Sequence, residues 1–529
     1  MADPNPMSRL DILTSWHADW AQLRVAVLGL GVTGFAAADT LAELGADVLV
    51  IAPAPSDAAS SGSKAAERAS LLGVIGARLV QVDAGTGGVT NAVPAELVAH
   101  QPELIIVSPG YHPDHPLLSW AAGAGIPVWG DIELAWQLRD KVVRADGAPA
   151  DWILVTGTNG KTTTVQLTAT LLASGGYRVA PCGNIGVPVL DAIRDPQGWD
   201  VLVVELSSYQ LHHLRRTGPG ALVPWSSVCL NIADDHIDWH GSAAAYRDAK
   251  ATVYANTKVA CVYNKADAET SAMVEEADVQ EGARAIGFGL GVPGPSDFGI
   301  VDGILCDRAF LEERFDRAIE LITVPELADR GLAAPHILAN ILAASALARS
   351  YGVEPGVIRA ALKTFELDAH RIQVVGASAS ITWIDDSKAT NPHAADASLK
   401  AFDSVVWLVG GLLKGVDIDA LVASHVGRLR GAIIIGVDRT ALREAFARHA
   451  PGLPVFEIDA DDTEQVMPKA VRLAADLAEA GDTVLLAPAA ASMDQFADYA
   501  ARGRSFTEAV REYLGGEADD HESASDQGS

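Results

Sequence analysis

Residues 153–164, Ile-Leu-Val-Thr-Gly-Thr-Asn-Gly-Lys-Thr-Thr-Thr, combine the residue types that hold a polyphosphate. The apolar run Ile153–Val155 predicts a buried parallel strand, Thr156 to Gly160 a tight loop, and Val165 to Leu172 the helix that follows. Gly157 and Gly160 let backbone N–H groups approach an anion, and a helix N-terminus adds roughly half a positive charge. Lys161 is placed to neutralise the outer phosphates and the Thr162 hydroxyl to ligate Mg²⁺. The spacing Gly-x-x-Gly-Lys-Thr is two residues tighter than the common phosphate loop, because Val155 stands where the longer motif has glycine.

Two other strand-to-loop junctions carry related chemistry. Val201-Leu202-Val203-Val204 predicts a strand ending on Glu205; a carboxylate there, facing the phosphate loop, suits a hard Mg²⁺ shared with Thr162. Leu23–Leu28 predicts a strand running into Gly29-Leu30-Gly31-Val32-Thr33-Gly34, then a helix through Ala36–Leu44 and a strand Val48–Ile51. A dinucleotide site needs an acidic residue at the end of that second strand to hold a ribose. Ala52-Pro53-Ala54-Pro55 stands there, so NAD is disfavoured, whereas a diphosphate at the helix N-terminus fits. No Ser–His or Cys–His arrangement supplies an activated nucleophile.

The elements that must position these groups read as open α/β sheets in three segments, with ligands expected at the carboxyl ends of strands. The expected boundaries are an N-terminal extension (1–22), a Rossmann-like domain (23–145), a central P-loop ATPase-like parallel-sheet domain (146–368), a Rossmann-like C-terminal domain (369–514) and an acidic disordered tail (515–529). With 49% hydrophobic but only 6% aromatic residues, the cores should be aliphatic. A net charge of −29, from 39 basic and 68 acidic side chains, argues against nucleic acid or an anionic membrane as partner. No apolar run approaches the roughly 20 residues of a membrane span, and no leader pattern opens the chain, so a cytoplasmic protein is expected. Cys182, Cys229, Cys261 and Cys306 form no Cys-x-x-Cys pair, against both a disulfide framework and a zinc site.

The short loop with Thr158-Asn159 between its glycines resembles the ATP loop of the Mur ligases and the related folylpolyglutamate synthetases, and matching stretches in family order extend the resemblance over residues 23–510. Within the family the chain is most similar to the branch that adds D-glutamate to UDP-N-acetylmuramoyl-L-alanine. The resemblance implies ATP contacts from Gly157, Thr158, Asn159, Gly160, Lys161, Thr162, Thr163, Asn340, Arg371, Asp386 and Lys388. It implies contacts to the uridine-nucleotide substrate from Gly31, Val32, Thr33, Gly34, Ser108, Pro109, Gly110, Asn184 and His236, with Gly130-Asp131-Ile132-Glu133 nearby. Two Mg²⁺ sites follow, on Thr162, Glu205, His236 and Lys250, the last as a carbamate, since a protonated lysine is a poor metal ligand. Lys161, His236, Lys250 and Lys388 are the implied catalytic set, and Thr390, Lys414, Ser492 and the backbone N–H of Tyr499 the implied D-glutamate pocket. The chain departs from the family pattern at Ala52, at Ile337 beside His336, at Ala490 and at Tyr499.

The implied reaction is amide formation. ATP phosphorylates the lactyl-alanine carboxylate and the D-glutamate amine displaces phosphate from the acyl phosphate. The expected partners are these small molecules acting on a monomer. The alternatives are a sibling ligase adding another amino acid or a glutamyl group, a nicotinamide-dependent dehydrogenase using Gly29–Gly34, and a nucleotide-binding switch without chemistry. The dehydrogenase leaves the phosphate loop and Asp386-Ser387-Lys388 without a role.

Overall fold

The computed structural model describes residues 9–54, 64–82, 93–367, 370–378, 380–413, 416–459 and 462–526, with side chains as far as Gly515. The first sheet contains β1 (Arg24–Leu28), β2 (Asp47–Pro53), β3 (Arg78–Val82), β4 (Leu104–Val107) and β5 (Val128–Gly130), all parallel in the order β3-β2-β1-β4-β5. Strands β1 and β4 are apolar runs buried on both faces, as a parallel sheet covered on two sides requires. Chain order reverses between β1 and β4. The loops after these two strands, Gly29–Gly31 and Ser108–Gly110, therefore meet at one crevice.

The second sheet repeats this device. It is built from β6 (Asp151–Thr156), β7 (Val179–Gly183), β8 (Val201–Glu205), β9 (Ser226–Cys229), β10 (Ala260–Asn264), β11 (Arg284–Phe288), β12 (Asp297–Val301), β13 (Ile304–Asp307) and β14 (Ile319–Thr323). Their order is β14-β13-β12-β11-β10-β9-β6-β8-β7, with the reversal at β6 beside β9. The phosphate loop leaves β6, and Asn231 follows β9 on its neighbour. An antiparallel extension, β12-β13-β14, lies outside the expected strand–helix alternation. Its hairpin turns at Asp302 (φ 49°) and Gly303 (φ 74°), an Asp-Gly pair suited to two consecutive positive φ values.

One apolar core runs through both sheets, with Trp136 meeting Trp152 edge-on at 5.2 Å. The N-terminal extension joins it. Leu10, Leu13 and Trp20 are buried there, Ser15 Oγ and the Trp16 N–H donate to the Asp140 carboxylate, and Lys141 lies 3.9 Å over the Trp16 ring. Residues up to Ala333 together with Ile337–Phe365 accordingly form one compact unit.

Ala334–His336 and the chain from Glu366 form the second unit. Its sheet contains β15 (Gln373–Ser378), β16 (Ile381–Asp385), β17 (Val405–Gly410), β18 (Leu429–Ile435), β19 (Val455–Glu457) and β20 (Thr483–Leu486), in the order β15-β16-β20-β17-β18-β19. All pairs but β15–β16 are parallel. Strand β20, last in sequence, lies between β16 and β17, so the carboxyl ends of three strands distant in sequence are adjacent. Two apolar clusters cover the sheet's faces. The last helix runs Tyr499–Asp526, through the segment after Gly515. Glu and Ala are good helix formers, and propagating an existing helix avoids the cost of nucleation.

Candidate active site

The phosphate loop is shaped by two positive-φ glycines and held by one asparagine. Gly157 (φ 148°) follows β6 and Gly160 (φ 82°) precedes the helix Lys161–Ser174. A Cβ on Gly157 would lie 2.9 Å from Leu230 Cβ, so the loop needs glycine for close approach as well as for its φ. The Asn231 carboxamide accepts from the Asn159 N–H at 2.8 Å and donates to the Asn159 carbonyl at 3.1 Å, while the Thr158 N–H donates to the Asn231 carbonyl. Sequence reasoning assigned Asn231 no role; its place just past β9 was the available signal. Lys161 Nζ folds back onto the carbonyls of Gly157 and Thr158, each at 2.8 Å. Buried Asn340, on the helix Pro335–Ser350, packs its carboxamide against Gly160.

Glu205 is opposite Val155 in the β6–β8 register and 2% exposed. Its Oε1 accepts from Asn184 Nδ2 at 3.0 Å, and its buried Oε2 has no hydrogen-bond partner among the described residues. An unsatisfied buried carboxylate oxygen beside a phosphate loop calls for a cation. No group of three His, Cys, Asp or Glu side chains suited to a metal occurs among the described residues. A carboxylate with one unpaired oxygen, as at Glu205, would suit Mg²⁺, which takes one or two carboxylates and completes its shell with phosphate and water.

Lys250 is 2% exposed, on the helix Ala243–Ala251. Its Nζ donates to the Gly157 carbonyl at 2.8 Å and stands 5.0 Å over the Tyr246 ring. Burial, reinforced by the charge of Lys161, pulls its pKa down to about 7. His236 adopts φ 52° at the start of the short helix Ile237–His240. Its Nδ1 meets the Tyr209 hydroxyl at 2.7 Å, and Tyr209 packs on Trp239 with ring centroids 4.4 Å apart. Tyr209 was absent from the expected site although it lies four residues after Glu205.

In the same unit, a cleft of about 280 Å³ brings together Gly31, Val32, Thr33, Ser108, Pro109 and Asn184 from the expected uridine-nucleotide set. Gly31 precedes the helix Val32–Glu43, whose N-terminus faces this space. The buried Ser108 hydroxyl has no hydrogen-bond partner among the described residues. Gly34 and Gly110 do not line the cleft. Gly34 is there for packing, because a Cβ on it would lie 2.2 Å from the Gly29 carbonyl oxygen. Asp131 and Glu133 are buried, each with a side-chain tie, and Asp131 Oδ1 has no hydrogen-bond partner among the described residues. Asp131, raised to about 6 by desolvation, accepts from Gln210, and Glu133 pairs with Arg215 at 2.7 Å. Gln210, which lines the cleft, was missed.

In the second unit, His370 (φ 66°) and Ile372 (φ 43°) flank Arg371 in a left-handed backbone that β-branched residues rarely adopt. Two buried carboxylates hold it. His370 Nδ1 meets Asp385 at 2.6 Å, and the Ile372 N–H donates to Asp386 at 3.3 Å. Desolvation raises Asp386 to about 6, against an opposing hydrogen bond from Ser398. Lys388 Nζ donates to the Tyr499 hydroxyl at 2.9 Å and lies 4.0 Å over its ring. The phenol thus gives Tyr499 a side-chain contact in addition to the backbone N–H role expected of it. Thr390 is half-buried beside this segment, and Ser492 is buried after β20. Lys414 falls outside the described residues.

No helix among the described residues is long and apolar enough to cross a membrane. The Mur ligase middle domain matches residues 155–348, and the Mur ligase, glutamate ligase domain matches residues 370–490. A UDP-N-acetylmuramoylalanine--D-glutamate ligase from Leifsonia xyli subsp. xyli is 68% identical over 524 residues, covering 98% of each chain. The enzyme of that name from Streptomyces avermitilis is 51% identical, covering 93% of this chain and 99% of its own. Among solved structures, the UDP-N-acetylmuramate-alanine ligase of Thermotoga maritima shares the fold with a TM-score of 0.53 at 18% identity, covering 92% of this chain and 99% of its own.

Proposed function

The chain belongs to the Mur ligase family, and on that premise we propose that it uses ATP to join D-glutamate to UDP-N-acetylmuramoyl-L-alanine in peptidoglycan precursor synthesis. The observation that carries this reading is near full-length identity of 68% to a ligase of that name, on a chain that carries the phosphate loop, Glu205, Lys250 and Lys388. The dehydrogenase alternative falls, since it explains neither matched domain.

A carboxylate is a poor electrophile, so the lactyl-alanine carboxylate attacks the γ-phosphorus of ATP and ADP leaves. The D-glutamate nitrogen then adds to the acyl carbon, the tetrahedral intermediate expels phosphate, and the amine loses its proton. Charge builds on phosphoryl oxygens in both steps, and positioned cations do most of the stabilising. The Lys161 ammonium, folded on its own loop, turns outward to the phosphates. The cleft at Gly31–Thr33, Ser108 and Asn184 seats the diphosphate of the sugar nucleotide. Lys388 and Arg371 serve phosphate, and Thr390, Lys414 and Ser492 the two carboxylates of D-glutamate.

Thr162 and Glu205 would hold one Mg²⁺, and His236 with Lys250 a second; when bound, the ions neutralise developing phosphoryl charge. Lys250 suits carbamate formation. Its neutral nitrogen bonds the carbon of CO₂ and sheds a proton, turning a buried cation into an oxygen-donor anion. An amine with pKa about 7 is half neutral near pH 7 and mostly neutral above it. We place the enzyme in the cytoplasm, acting as a monomer.

The test is phosphate release with UDP-N-acetylmuramoyl-L-alanine across a panel of amino acids. D-Glutamate should support turnover, with little from L-alanine or meso-diaminopimelate. Turnover with L-alanine on UDP-N-acetylmuramate would move the chain to a sibling activity.

A further inference from the structure

In the second unit, the loops leaving the adjacent strands β16, β20 and β17 form three neighbouring walls: Ser387–Thr390, Ala489–Ser492 and Gly410–Leu413. Backbone bonds lace them together. The Ala489 N–H donates to the Ala389 carbonyl at 2.9 Å, and Leu412 and Ala491 exchange two bonds at 2.8 and 3.1 Å. One side chain spans all three. Arg502, in the first turn of the helix Tyr499–Asp526, is 1% exposed. Its Nε donates to Ser387 Oγ at 3.0 Å and one terminal nitrogen to the Ser387 carbonyl at 2.9 Å. The other terminal nitrogen donates to the carbonyls of Ala490 at 3.1 Å and Gly410 at 3.4 Å.

Burying a guanidinium is costly unless its donors find acceptors, and here each nitrogen donates, to the Ser387 hydroxyl or to carbonyls from the ends of three separate strands. The surroundings are shaped to admit it. A Cβ on Gly411 would lie 3.3 Å from the guanidinium and 2.3 Å from the Ala491 carbonyl oxygen. Next in the chain, Gly503 lets the helix approach His370 and Asp385, since a Cβ there would lie 2.2 Å from His370 Nδ1.

We infer that Arg502 is a positioning residue for the amino-acid substrate: its guanidinium sets the spacing of the Thr390 wall, the Ser492 wall and the Gly410–Gly411 turn, and so the fit of the dicarboxylic acid between them. This rests on the D-glutamate reading above. Arg502 itself does not touch the substrate. Its planar fork reaches three loops at once, whereas lysine keeps the charge and loses the geometry.

The test uses the full-length enzyme, with phosphate release titrated separately against D-glutamate and ATP. R502K should raise KM for D-glutamate about tenfold, a loss of about 1.4 kcal/mol, with KM for ATP held within about twofold. In R502A, added guanidinium ion should lower KM for D-glutamate again, an effect that a general loss of folding does not produce. Unchanged KM for D-glutamate in R502K overturns the inference. So does a parallel rise in both KM values with a lowered melting temperature, which is the signature of a purely structural arginine. If the wild type turns over with another amino acid, the substrate reading fails, and the same two criteria applied to that amino acid decide Arg502.

Discussion

Lys161 and Lys250 donate to the same acceptor, the Gly157 carbonyl oxygen, each at 2.8 Å. One lysine opens the helix after the phosphate loop; the other reaches the loop from the buried side, on a separate helix. Two ammonium groups on one oxygen repel each other, and at an effective dielectric of about 20 unit charges 4 Å apart interact by roughly 4 kcal/mol. A turn of Lys161 toward ATP phosphates, as proposed above, or loss of the Lys250 proton would relieve the arrangement.

Lys250 yields the first prediction. Its folded pKa, about 7, lies below the ordinary 10.5. Below about 7 both folded and unfolded chains hold the proton, and the cost of burying the ammonium is fully present. Between 7 and 10.5 the unfolded chain binds a proton that the folded chain lacks, so stability rises with pH. In CO₂-free buffer, denaturant titrations should show wild type gaining on Lys250→Met from pH 7 to 9. With ¹³CO₂, a carbamate carbon signal should grow across pH 7 and be absent from Lys250→Arg, which should also be inactive.

Asn184 links two sites, lining the cleft and donating to Glu205. Lys161→Ala should abolish phosphate release while calorimetry finds uridine-nucleotide affinity nearly unchanged. Asn184→Ala should weaken that affinity and also slow turnover at saturating substrate. Equal loss of nucleotide-sugar affinity in both variants would contradict this division.

Asp386 should give the second unit an opposite pH slope. Its folded pKa, about 6, lies above the ordinary 3.8. Between these values the folded chain keeps a proton the unfolded chain has lost, so stability falls as pH rises through the window. The effect is at most on the order of 3 kcal/mol. Asp386→Asn should flatten this slope in unfolding curves recorded from pH 4 to 6.5.

Gly503→Ala would place a methyl 2.2 Å from His370 Nδ1. The His370–Asp385 bond must yield or the helix must shift, and overpacking of this kind costs about 1–3 kcal/mol. Calorimetry should show a lowered melting temperature, and KM for ATP should rise because Arg371 follows His370.

The sequence by itself determined the strand–loop–helix units. Ile153–Lys161 and Leu23–Gly34 were legible because apolar runs, glycines and a lysine at fixed spacing admit few other arrangements, and Glu205 stood out as a carboxylate ending a buried run. The Asp302-Gly303 hairpin was equally legible but fell outside the expected alternation of strand and helix. Tertiary structure alone decided what depends on strand order. Asn231 reaches the phosphate loop because β9 neighbours β6, and Arg502 knots its three loops because β20 inserts between β16 and β17. Burial was the other hidden variable. Nothing local distinguishes Lys250 from a solvated helical lysine or Glu133 from a ligand contact; what surrounds each carboxylate or ammonium depends on chain segments far away in sequence, and that sets its charge and its partner.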